Sequence, residues 1–368
     1  MAPRFYLDAN ATEPLRPEAR TAAIAACDVL GNPSSIHGEG RAARRLLEDA
    51  REVIAGLFGA EPRDVIFTSG GTEANALAIH GLAAGRAVLR GATEHAAVIA
   101  AAGDAAAVVA VGTDGRIRLD VLAEMLPAAR GGLVCLMLAN NETGTIQPIA
   151  EAARLCHAAG ALLHVDAVQA AGRMPLDRAA LGADSLAISA HKLGGLTGAG
   201  ALLLGPEAAA RFAPLHLGGG QERGRRGGTP ALPALAAFAA AALAAAAEDA
   251  QHRAPWRDAI EAAAVAAGAR VIGLGAPRLP NTACLALPGV RSESQVIALD
   301  LAGLAVSAGA ACSSGKVARS HVLEAMGAGP LAGEAIRVSL PWNAGPAHVT
   351  AFADAYLAMA QRMARRAA

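Results

Sequence analysis

The chain has 368 residues, enough for a large core and more than one domain. Lys and Arg number 32 and Asp and Glu 32, so the formal net charge is zero with no long run of one sign, which argues against a polyanion-binding face and against nucleic acid as a partner. Hydrophobic residues reach 54% largely through alanine, and the most apolar stretch, "PALPALAAFAAAALAAAA", carries two prolines and few large side chains, so it reads as a buried helix and no membrane partner is expected.

In chain order, the N-terminus "MAPRFYLDAN" has no apolar run of the kind a secretory leader needs, which predicts a cytoplasmic protein. From about residue 64 to 205, short apolar runs alternate with helical patterns, the signature of a mostly parallel sheet covered by helices. The expected strands are 65–67, 87–89, 133–138, 161–165, 185–189 and 201–204. The first is followed by "TSGGTEAN"; later come "TEH" at 93–95, "NNETG" at 140–144, "DAVQ" at 166–169 and "AHKLGG" at 190–195. Nearly every polar cluster thus follows a strand's carboxyl end, where open α/β sheets bind ligands. Beyond about residue 250, amphipathic helices mix with strands such as "TACLALP" and "AIRVSL", which predicts a smaller α+β lobe. The expected division is a large domain at 14–250 and a small domain made of 1–13 and 251–368.

Within those clusters, Gly70 and Gly71 precede a helix starting near Thr72; its free amides suit a phosphate, or the glycines merely form a tight turn capped by Thr72. Asp166, at the end of a hydrophobic strand, either caps a helix or needs a buried cationic partner such as a pyridinium nitrogen. Gln169 and Asn141 are candidate donors to a neighbouring oxygen, or ordinary turn residues. His95 reads as a structural histidine or as a ring that stacks on an aromatic coenzyme and moves protons. Ser189, His191 and Lys192 crowd one strand end. Of 32 basic residues only Lys192 and Lys316 are lysines, and an amine does what arginine cannot, because it can lose its proton and form a Schiff base.

Five cysteines at 27, 135, 156, 284 and 312 show no CxxC pair, which argues against a disulfide framework or a metal site. Four fall in apolar or helical patterns and are expected to be buried and inert. Cys312 differs: "SAGAACSSG" surrounds it with small side chains, as in a loop that presents a thiol.

The motifs "YLDANATEPL", "GNPSSIHGEGRAAR", "FTSGGTEANALAIHG", "TEHAAV", "NNETGTIQPI", "HVDAVQAAG", "SAHKLGG", "GGGQERGRRGGT", "SAGAACSSG" and "AIRVSL" occur in this order along nearly the whole chain. Together they resemble the cysteine desulfurases, NifS/IscS-like members of the class V, fold-type I pyridoxal-phosphate-dependent family. The resemblance implies an α/β fold with a mostly parallel seven-stranded sheet plus a smaller α+β domain, and pyridoxal 5'-phosphate as cofactor. It implies that Lys192 carries the coenzyme through its amine, His95 stacks on the ring and Asp166 pairs with the ring nitrogen. Gln169 and Asn141 would contact the ring oxygen and substrate, and Gly71, Thr72, Ser189 and His191 would lie at the phosphate. Thr229 would reach the phosphate in the partner subunit, which implies a homodimer. Arg337 would clamp the carboxylate of L-cysteine. Cys312 would take the substrate's sulfur as a persulfide, leave alanine, and pass the sulfur to an acceptor such as an iron–sulfur scaffold or a tRNA-thiolating protein.

Other class V chemistry, such as selenocysteine lysis or aminotransfer, and a catalytically idle sulfur carrier are the alternatives. The chain departs from the family pattern at "LGGLTGAG" after Lys192 and at "VSLPWNAG" after Arg337, where Pro341 and Trp342 are expected to reshape the substrate mouth. The ending "AQRMARRAA" is expected to lack the longer extension with which some relatives dock a scaffold, which leaves the acceptor open.

Overall fold

The structure is a computed structural model that describes residues 4–309 and 319–367. Continuous apolar runs make strands buried on both faces: Leu133–Met137, Leu162–Asp166, Ser185–Ser189 and Gly200–Leu204 have every residue buried. Removing a Leu or Val side chain of this kind from water contributes about 2 kcal/mol. With Val65–Thr68, Val88–Gly91 and Ala107–Val109 they form a seven-stranded sheet. Its spatial order is 65–68, 200–204, 185–189, 162–166, 133–137, 88–91 and 107–109. Only Gly200–Leu204 runs against its neighbours. The carboxyl ends of the other six strands therefore meet at one edge, and the amino end of Gly200–Leu204 joins them there, since Gly200 pairs with both Thr68 and Ser189.

Ala107–Val109 is a strand the sequence reading lacks, because three small or β-branched residues among alanines give no distinct period. The expected helix over the alanine-rich stretch forms at Leu232–Ala246, beginning with Leu232 and Pro233 and burying Leu235, Phe238 and several alanines. No single helix among the described residues is long and apolar enough to cross a membrane.

A second sheet has the antiparallel order Ser307–Ala308, Ala335–Ser339, Thr282–Ala286 and Arg270–Val271. Ile336 and Val338 pack into its own core with Leu285, Leu299, Phe352 and Tyr356, so the alternation of the strand turns Arg337 to the opposite face. The N-terminal segment joins the two regions. Phe5–Tyr6 pairs with Leu304–Ala305, and Glu13 N then donates to His191 O and Arg16 N to Gly194 O.

Cys135, Cys156 and Cys284 are buried as expected, and burial pushes all three thiols upward. Cys27 is exposed, contrary to expectation: it ends the helix Pro17–Cys27, whose buried side is formed by Ala19, Ala23 and Ala26. Cys312 and Lys316 lie outside the described residues.

Candidate active site

At the edge where the strand ends converge, a cavity of about 340 Å³ opens between the large sheet and the N-terminal segment. The residues that line it come from loops far apart in sequence. Gly71 and Thr72 come from the first turn of the helix Gly71–Ala83, and His95 from the cap of Ala96–Ala102. Asn141 follows Leu133–Met137, Asp166 ends Leu162–Asp166 and Gln169 follows it. Ser189 ends its strand, His191 and Lys192 form the next turn, and Arg337 enters from the second sheet. Ten residues singled out from the sequence thus meet in one cavity. Thr229 is exposed and lines a different, smaller cavity with Ser69, Gly198 and Glu222.

Lys192 Nζ donates to Asn10 O at 2.5 Å and Ala11 O at 2.7 Å. Burial, reinforced by the positive charges of Arg173 and Arg337 and opposed by Asp8 and Asp166, pulls its ammonium down to about 7. Its neighbour His191 is held neutral, down to about 4, mainly by burial and then by Lys192 and Arg173, with Nδ1 2.6 Å from Thr12 Oγ1. Beneath them Glu13 and Arg173 form a buried ion pair at 3.3 Å. Burial raises Glu13 and lowers Arg173 to about 10, so each partly neutralises the other where water cannot.

His95 Nδ1 accepts from Ala97 N at 3.1 Å, so the neutral ring carries its proton on Nε2. Asp166 accepts from Asn75 Nδ2 at 2.8 Å and from Val168 N at 3.0 Å. Gln169 donates to Asn10 O at 2.9 Å and accepts from Arg173, which engages both ends of its amide within the protein. Arg337 donates to Asp8 Oδ1 at 2.6 Å and to Asn141 O at 3.1 Å, while its buried Nε has no partner among the described residues.

Two features fit a phosphorylated aromatic coenzyme. Ser189 Oγ is buried without any partner among the described residues, beside the first turn of Gly71–Ala83, whose leading amides have no intrahelical acceptor. The glycines there are also sterically required. A Cβ on Gly71 would come within 2.6 Å of Val168 Cγ2, and one on Gly200 within 2.7 Å of the Gly70 backbone.

Sequence reasoning missed Asp8, Asn10 and Asn75. Asp8 and Asn10 sit in "YLDANATEPL", a motif singled out as a whole, but their contacts with Arg337 and Lys192 span the length of a domain and leave no local period. Asn75 lies inside a helical pattern, where a polar residue reads as solvent-facing. Pro341 and Trp342 do not line the cavity, contrary to expectation. Trp342 donates from its indole to Pro14 O at 2.8 Å and from its backbone to Glu13 Oε2 at 3.1 Å, and Arg16 stacks on its ring at 4.8 Å. An indole N–H needs an acceptor when buried, and the N-terminal segment supplies it.

Comparison with known proteins shows the family and the fold. Residues 5–352 match the aminotransferase class-V family. A cysteine desulfurase of Cereibacter sphaeroides is 43% identical over 88% of this chain and 87% of that protein. An IscS-like cysteine desulfurase of Mycobacterium tuberculosis is 37% identical over 99% of this chain and 98% of that protein. The X-ray structure of a NifS-like protein from Rickettsia africae superposes with a TM-score of 0.89 at 32% identity, covering 97% of this chain and 99% of that one. The chain belongs to the class V aminotransferase family, whose cofactor is pyridoxal phosphate, and within it to the cysteine desulfurases.

Proposed function

We propose that the cavity holds pyridoxal phosphate on Lys192 and removes sulfur from L-cysteine, with Cys312 as the acceptor thiol. The observation that carries this reading is Lys192, the only lysine among the described residues, held near neutrality at about 7 in a cavity that also contains Asp166 and Arg337.

In this reading Ser189, Gly71, Thr72 and His191 hold the phosphate, His95 covers the ring, and Asp166 faces its nitrogen. Asn141 and Gln169 stand at the ring oxygen and the substrate. The coenzyme, when bound, supplies an electron sink that weakens bonds at the substrate's α- and β-carbons. The protein's own contribution is to bind, orient and move protons. Arg337, which lines the cavity, takes the substrate carboxylate with its guanidinium. The amine of Lys192, whose ammonium burial lowers from its ordinary range, gives and takes the proton at the α-carbon. The Cys312 thiolate bonds to the substrate sulfur as that sulfur's bond to carbon breaks, and a proton ends on the freed carbon. The products are alanine and a persulfide on Cys312.

We further read residues 14–250 as the large domain, and 1–13 with 251–368 as the small one, supported by the separate hydrophobic core around the second sheet, which includes Leu7. Exposed Thr229 supports a second copy of the chain at this face, and a sulfur-accepting protein completes the cycle. The free thiols of Cys27, Cys135, Cys156 and Cys284 are compatible with a reducing, cytoplasmic setting.

The test is a Cys312→Ala variant. It should keep the parental coenzyme absorbance and lose alanine formation from L-cysteine by at least about a hundredfold, since none of the cysteines among the described residues lines the cavity. Alanine formation at the parental rate would refute the role of Cys312.

A further inference from the structure

Behind Asp166 lies a row of buried polar side chains to which the reading above gives no task. His164 and Asp166 are two residues apart on Leu162–Asp166 and so share one face of the sheet. Ser185 is the register partner of His164 on the adjoining strand. Asn75 reaches the same face from the helix Gly71–Ala83. Ser185 Oγ lies 2.8 Å from His164 Nδ1, His164 Nε2 2.9 Å from Asn75 Oδ1, and Asn75 Nδ2 2.8 Å from Asp166 Oδ2. Ser185 and His164 are wholly buried and Asn75 is 1% exposed.

Chemistry fixes the direction of every bond. A carboxylate only accepts, so Asn75 turns its NH₂ to Asp166 and its carbonyl to His164. The imidazole must then donate from Nε2. Burial drives His164 down to about 3, so the ring is neutral, and its bare Nδ1 accepts from the Ser185 hydroxyl. The row runs one way, from Ser185 to Asp166. Asn75 also stands one helical turn after Gly71, so a single helix carries both the first-turn amides facing the cavity and the clamp on the carboxylate.

We propose that Ser185, His164 and Asn75 form a positioning relay that fixes the Asp166 carboxylate at the ring end of the cavity, with His164 locked in the tautomer that keeps the Asn75 amide turned toward Asp166. The proposal rests on the reading of Asp166 as the partner of the coenzyme's ring nitrogen. Without the His164 N–H, the Asn75 amide is free to flip and present its oxygen to the carboxylate.

The experiment compares His164→Leu, His164→Gln, Ser185→Ala and Asp166→Asn in the coenzyme-loaded protein, measuring the visible absorbance, the dissociation constant for pyridoxal phosphate and the kinetics with L-cysteine. Loss of a charge-oriented bond predicts that His164→Leu weakens coenzyme binding about tenfold, shifts the absorbance band, and lowers kcat about 10- to 100-fold with KM changed less than about twofold. His164→Gln, whose amide can still donate to Asn75, should recover much of the loss. Placed on top of Asp166→Asn, His164→Leu should add less than about twofold, because both act through one carboxylate. Parental binding and spectrum in His164→Leu, or full additivity with Asp166→Asn, would overturn the relay. If His164→Leu does not fold, Ser185→Ala decides, because a parental spectrum and affinity there would also overturn it. Should Asp166→Asn itself leave spectrum and turnover unchanged, the reading of Asp166 fails instead.

Discussion

At Lys192, burial and two guanidinium groups act against two carboxylates, and the balance leaves the amine near 7 in place of its ordinary 10.5. Only the neutral amine attacks an aldehyde. Below about 7 the folded protein's amine is protonated, so capture of pyridoxal phosphate by coenzyme-free protein should slow about tenfold per pH unit as pH falls, and level off above 7. Stopped-flow absorbance between pH 5.5 and 9 measures this. An inflection near 10, as for a solvated lysine, would contradict it. The importance of Lys192 was legible in the sequence because arginine replaces lysine nearly everywhere else; its carbonyl partners on Asn10 and Ala11 were not, because they sit 182 and 181 residues away.

The helix Gly71–Ala83 and the strand Gly200–Leu204 show what the elements contribute. The one antiparallel strand brings Gly200 against Gly70, and that approach is possible only without a side chain at position 200. Gly200→Ala should therefore strain the backbone beside the phosphate end of the cavity, lowering stability by about 1–3 kcal/mol and weakening coenzyme binding. Gly56→Ala, in open space within the helix Gly38–Phe58, should be neutral or stabilising by about 0.5–1 kcal/mol. Urea unfolding and coenzyme titration of the two variants check this, and equal behaviour would contradict it. The long apolar strands were legible because burial on both faces leaves an uninterrupted hydrophobic run. Ala107–Val109 was not, and neither was the exposure of Cys27, since an alanine-rich helix shows no clear polar face.

Across the whole molecule, the N-terminal segment joins the two sheets at the cavity. Asp8 holds Arg337, Asn10 and Ala11 hold Lys192, and Glu13, Pro14 and Arg16 receive Trp342. Trp342, expected at the substrate mouth, instead fastens this segment, and Gly194 lets it approach because a Cβ there would lie 2.7 Å from Arg16 Cγ. Motif order along the chain made the family and the convergence of strand-end loops legible. Which side chains support the site from behind, such as Asn75, His164 and Asp8, depends on packing between distant elements and appears only in three dimensions. The most direct test of the account is to reduce the coenzyme-loaded protein with borohydride and map the modified peptide. With two lysines in the chain, the pyridoxyl group should be found on Lys192 alone, and its recovery on Lys316, or on no lysine, would contradict the central claim.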